Sequence, residues 1–131
     1  MSRVQAIWAL HIGRSVLTSL FILGGINKLS DPTAVLVQIE AGGLPVPSLV
    51  LVLVIALEPG GGLWVASGLR GTGLMALGLA GYTLLVNILF HAFWAVPTDN
   101  FGTELSLFFK NIAVAGGLVA MAGVSVLRRA A

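Results

Sequence analysis

The sequence predicts an all-α membrane protein: a four-transmembrane-helix bundle with a short interfacial segment between helices 1 and 2. Three observations predict it. The 131 residues are 57% hydrophobic, with a mean hydropathy of +1.02. Only 9% are charged, against the roughly 25% that a soluble domain carries. The apolar residues fall into four stretches, each long enough for a bilayer core, which takes about 20 residues of helix. β-branched residues are common in all four, but an open sheet edge in lipid would leave backbone groups unpaired, so helix is expected. The length suits one transmembrane domain over residues 1–131.

The first span covers residues 4–29 and is interrupted by His11, Arg14 and Lys28. Arg14 and the length of the stretch argue against a secretion signal, so this helix is expected to be retained. Ser30-Asp31-Pro32 stops it and caps a short second helix. Residues 33–41 are apolar but too short to cross, and read as an interfacial helix or re-entrant segment. Gly42-Gly43-Leu44-Pro45-Val46-Pro47 breaks the chain around the start of the second span, 44–69, whose one charge is Glu58. Arg70-Gly71 leaves only a tight antiparallel turn before the third span, 72–95, which holds His91 and no formal charge. Residues 96–104 read as a polar loop. The fourth span, 105–127, carries Lys110.

Charge sets the orientation. Arg3, Arg70, Arg128 and Arg129 share the side of the two termini, and Asp31, Glu40, Asp99 and Glu104 share the other. The positive-inside rule then places both termini in the cytoplasm. The chain has no cysteine, so it performs no thiol chemistry and holds no thiolate metal site. No basic stripe points to nucleic acid. His11 and His91 fall at opposite membrane faces and cannot share a metal within one chain. Small residues spaced four apart, such as Ala76 and Ala80, Ala113 and Gly117, and Gly116 and Ala120, predict close helix packing. Within the chain this tightens the bundle; between chains it would make an oligomer.

Ionisable residues inside a span are costly, which makes them functional candidates. Thr83, Asn87 and His91 form one stripe; Arg14, Thr18, Phe21, Gly25 and Lys28 form another; Ser106, Lys110, Ala113 and Gly117 form a third. Turned inward, these faces would build an outer pocket of Lys28, Asn27, Asn87, His91, Lys110 and Asn111, with Glu58 at its floor. Each residue also has a structural reading. Lys28 would snorkel to headgroups, His91 would join an aromatic belt with Phe93 and Trp94, and Lys110 would pair with Glu104 or Glu58. Depth counting at about 1.5 Å per residue puts Arg14 within roughly 9 Å of Glu58 in height, so a buried ion pair between them is expected. Glu58-Pro59-Gly60-Gly61-Gly62 weakens its helix, and such a break survives only inside protein or beside a wet cavity.

These residues carry a resemblance. Gly13-Arg14, Leu20-Phe21, Gly25-Ile26-Asn27-Lys28-Leu29, Gly43-Leu44-Pro45, Glu58 with Gly61-Gly62-Leu63, Phe90-His91-Ala92-Phe93-Trp94 and Phe109-Lys110-Asn111 succeed one another as in the DoxX family of small bacterial membrane proteins. The chain resembles that family over nearly its whole length. The resemblance implies a four-helix fold and a multi-pass protein of the bacterial plasma (inner) membrane. It also implies an association with quinone-linked or oxidative-stress assemblies, but no catalytic residue.

Three functions are expected in turn. The first is a non-catalytic membrane subunit or anchor of a redox or respiratory assembly, with membrane or peripheral protein partners. As part of an enzyme, the chain would serve a quinone-linked oxidoreductase. The second is a site for a quinone or another small polar ligand in the outer half of the bundle, using Glu58, Asn87, His91, Lys110 and Asn111. The third, transport of protons or a small solute through Glu58, ranks last because the chain is short and shows no inverted repeat.

Overall fold

Ser2 opens the first helix, α1 (Arg3–Ser30), through a capping box. Its hydroxyl accepts from the Gln5 amide at 3.2 Å, and the Gln5 side chain accepts from the Ser2 amide at 2.8 Å. These bonds satisfy donors that a helix start leaves unpaired. In this computed structural model, which describes the backbone of residues 1–130 and the side chains of residues 1–128, Asp31 ends α1 and caps α2 (Pro32–Ala41). The Asp31 carboxylate accepts from the Ala34 amide at 3.1 Å. The side chain of Arg129, one of the terminal-side arginines, lies outside the described residues. Three more helices complete the chain: α3 (Pro47–Ser67), α4 (Thr72–Phe90) and α5 (Thr98–Ala130). A 3₁₀ turn, Phe93–Ala95, separates the last two.

Four stretches are long and apolar enough to cross a membrane: α1, α3, α4 with its 3₁₀ extension, and α5. Among the described residues there is no strand. The outer surface is apolar: Leu23, Leu53, Leu74, Leu85 and Val126 are each more than half exposed. Apolar cover on this scale suits lipid rather than water. The core is narrow and built from Phe21, Val65, Leu79 and Leu118 with Ala76, Ala80, Ala115 and Ala122. The alanines let α4 and α5 lie close together along their length.

Helix α1 packs antiparallel along α3 in a register set by small residues. A Cβ at Gly25 would run into the Pro59 ring, and one at Gly62 would lie 3.0 Å from Ile22 and 3.2 Å from Phe21. Pro59 therefore does not break α3, which runs unbroken through the glycine stretch. Its ring fills a notch in α1. That register slides α1 toward the terminal side of the bundle. Lys28 stands level with Glu58 near mid-height on α3, and α2 covers the half away from the termini that α1 leaves open.

Several boundaries differ from the sequence reading. The second span starts at Pro47 and ends at Ser67, and the turn uses residues 68–71 with φ of 71° at Gly68 and 87° at Gly71. The third span keeps residues 72–95, as α4 to Phe90 followed by the 3₁₀ turn to Ala95. The expected polar loop 96–104 is helical from Thr98 onward. Its polar residues reflect contact with water, not an irregular backbone, and Asp99 in the first turn favours the positive helix end.

Candidate functional site

Glu58 is the most enclosed side-chain carboxylate, 6% exposed on the inner face of α3. Both its oxygens are bonded. Lys28 Nζ donates to Oε2 at 2.7 Å, and the Tyr82 hydroxyl donates to Oε1 at 2.5 Å. A charge removed from water needs such partners, because an unpaired one is strongly penalised. The ammonium of Lys28 has three donors and uses one here.

This triad forms one end of a cavity of about 760 Å³. Val54 and Leu57 of α3 and Val86 and Leu89 of α4 form its walls, and Ile39 and Gly42 cover it from α2. Gly42 lets α2 approach closely, since a Cβ there would lie 3.0 Å from the Phe90 ring. A second polar pair lines the cavity: His91 Nδ1 and Glu104 Oε2 lie 2.8 Å apart. Tyr82 and His91 are separated by about 14 Å along α4 at the helical rise. The cavity is thus apolar along its length, with hydrogen-bonding groups at two places.

The structure gathers some of the sequence candidates here and sends others elsewhere. Glu58 and His91 line the cavity. Asn87 and Asn111 do not. Asn87 is buried between α4 and α5, where it donates to the Phe108 carbonyl at 3.1 Å and accepts from Asn111 at 3.0 Å. The two asparagines clamp those helices together. Lys110 faces outward and makes no hydrogen bond or ion pair among the described residues. The inward face of α5 is set by Ala115, Leu118 and Ala122. That rotation turns Ser106, Lys110 and Ala113 away from the bundle. Glu104, considered as a partner for Lys110, takes His91 instead.

The expected Arg14–Glu58 pair is not formed. Arg14 lies beside Gly68 at the far end of α3, and Gly68 is ten residues past Glu58, or about 15 Å of helix. Counting along the sequence puts Lys28 at the outer edge. Because α1 is shifted along α3, Lys28 reaches Glu58 and Arg14 cannot. Tyr82 escapes the sequence reading, although two signals point to it. It is the only tyrosine, and the α3–α4 hairpin turns about residue 70, which sets position 82 opposite position 58. Among the described residues, no three His, Asp or Glu side chains come together as a metal site.

The fold and this site define a small helical membrane protein with an ion pair at the base of a lipid-depth cavity. The chain belongs to the DoxX family, whose model matches residues 9–92. That range takes in Arg14, Lys28, Glu58, Tyr82 and His91 and stops before α5. The inner membrane protein YqjF of Escherichia coli K12 is 37% identical over 111 residues, which cover 85% of this chain and 79% of that protein. The inner membrane protein YphA of the same strain is 25% identical over 113 residues, covering 86% and 80%. No solved structure matches the chain at a significant level.

Proposed function

We propose that this chain is an inner-membrane protein whose outer cavity binds a small lipophilic molecule with a polar head, of the quinone class. One observation carries the reading: an apolar cavity of about 760 Å³ ends on the Lys28–Glu58–Tyr82 triad. Ligand sites usually enclose about 300–1,000 Å³, with apolar walls and a few placed polar groups. An apolar ring and tail suit the walls. A head carbonyl would accept from a free donor of Lys28, which Glu58 holds in place. His91 would bond a second oxygen from its place further along the cavity. Lys110, which the sequence set beside His91 for this task, faces outward, and Lys28 takes its role. The relatives' names support the inner membrane. The arginines at the terminal end support cytoplasmic termini.

Titration of the purified protein in neutral detergent with a short-chain ubiquinone tests the reading. Saturable binding is expected, weakened roughly tenfold or more by Lys28→Met, the loss of one charge-assisted hydrogen bond. Unsaturable partition into the micelle, or an unchanged Kd in that variant, would overturn it.

Lys110 favours a second reading, the subunit or anchor of a redox assembly. An outward ammonium beside the Asn87–Asn111 clamp suits a carboxylate on a neighbouring protein. Mass spectrometry after gentle purification would find stoichiometric partners that Lys110→Leu releases. An identical set of proteins with and without the substitution counts against it.

A further inference from the structure

At the opposite end of the bundle lies a smaller cavity, of about 240 Å³, between α1, the α3–α4 turn and α5. Two arginines line it, Arg14 and Arg128, together with Thr72 and Ser125. Arg14 is 6% exposed. Its Nη2 is 2.9 Å from His11 Nδ1, and its Nε is buried with no hydrogen-bond partner among the described residues. A guanidinium has no acceptor and cannot shed its charge, so its donors need acceptors from elsewhere.

The chain has no side-chain carboxylate to give. It has five acidic residues. Glu58 is taken by Lys28 and Tyr82, and Glu104 by His91. Asp31 caps α2 and Glu40 lies in its last turn, and Asp99 is in the first turn of α5, at the end away from the termini. The groups facing Arg14 from the packed elements are His11 on its own helix, Gly68 and Leu69 in the turn, Thr72 on α4, and Ser125 and Arg128 on α5. None is acidic. The carbonyl end of α3 and the amide end of α4 meet at this turn, and their partial charges largely offset each other. The cavity therefore holds two positive charges, an unsatisfied buried donor and two hydroxyls.

We infer that this cavity binds a phosphate group. Two guanidiniums and a hydroxyl are the donors that suit a tetrahedral oxyanion. The Ser125 hydroxyl now donates to the Ala122 carbonyl at 2.7 Å, and rotation about one bond turns it to a ligand. Leu10, Met121 and Val124 supply an apolar side to the same cavity. The phosphate has two sources with the same chemistry: an anionic lipid headgroup at the terminal-side interface, or free phosphate from the water beyond it.

The test uses delipidated protein in neutral detergent and reads Tm. One arm adds phosphatidylglycerol against equal phosphatidylcholine. The other adds sodium phosphate against sodium chloride of equal ionic strength. Wild type is expected to gain several degrees in at least one arm. A gain with phosphatidylglycerol alone assigns the lipid as the source, and a gain with phosphate assigns the free ion. Arg128→Gln, at an exposed helix end where folding is safe, should weaken the titrated affinity roughly tenfold, and Arg14→Gln at least as much. Arg70→Gln, on the same side but outside the cavity, should keep the full response. No gain in either arm would overturn the inference. So would an Arg128→Gln protein that responds like wild type, or an Arg70→Gln protein that loses as much as Arg128→Gln.

Discussion

In the larger cavity both carboxylates, Glu58 and Glu104, are answered from within the chain. Lys28 and Tyr82 take the two oxygens of Glu58, and Glu104 takes His91. In the terminal-side cavity, among the described residues, Arg14 and Arg128 share no carboxylate and the Arg14 Nε has no hydrogen-bond partner. Both regions hold a charge that is 6% exposed. The difference teaches where each charge gets its compensation. The outer triad is complete before any ligand arrives, so its partners stay fixed and oriented. Among the described residues, nothing completes the arginine cavity in the same way.

That contrast can be broken by single substitutions. Glu58→Leu should have the larger effect. It strands the Lys28 ammonium and the Tyr82 hydroxyl beside an apolar cavity, and breaking a buried pair in this way costs about 3–5 kcal/mol. The partial exposure of Lys28 draws the expectation toward the lower end, about 3 kcal/mol. Denaturant unfolding in neutral detergent measures it; a loss below about 1 kcal/mol would mean that the triad does not hold the helices. Arg14→Leu should do much less in the same detergent without added anion. It strands no opposite charge and removes an ion whose insertion is itself unfavourable. The expected change is under about 1 kcal/mol in either direction, within the range of ordinary substitutions. A loss as large as that of Glu58→Leu would mean that Arg14 has a partner inside the chain.

Much of the architecture can be read from the sequence because lipid imposes simple rules. The four apolar stretches, the Asp31 cap and the inward stripe of Thr83 and Asn87 come from composition and helical period. So does the shared face of Arg14, Thr18, Phe21 and Gly25, all of which are buried. Register between helices does not. The height of α1 against α3 depends on one notch, Gly25 against Pro59. A helix long enough to cross can slide by two turns without altering its hydropathy. Such a slide brings Lys28 level with Glu58 and carries Arg14, 14 residues back along α1, out of its reach. Rotation is equally hidden in α5. A polar stripe at Ser106 and Lys110 looks inward by pattern, yet the alanines opposite α4 decide the face, and a lysine near an interface is tolerated outside. Tyr82 is within reach of the sequence, because a tight hairpin fixes its own register from the position of the turn.

The partner of Glu58 is the point on which the outer site rests, and a pair of double-mutant cycles measures it most directly. Lys28→Met, Glu58→Leu and their double variant form one cycle. Arg14→Leu, Glu58→Leu and their double variant form the other, with unfolding free energy read in neutral detergent. Coupling of about 1–3 kcal/mol between Lys28 and Glu58 is expected, with the double variant recovering much of the loss from either single change. Additivity within about 0.5 kcal/mol is expected between Arg14 and Glu58, which lie too far apart to interact. Additive losses for Lys28 with Glu58, together with coupling between Arg14 and Glu58, would contradict the register of α1 on α3 and the triad built on it.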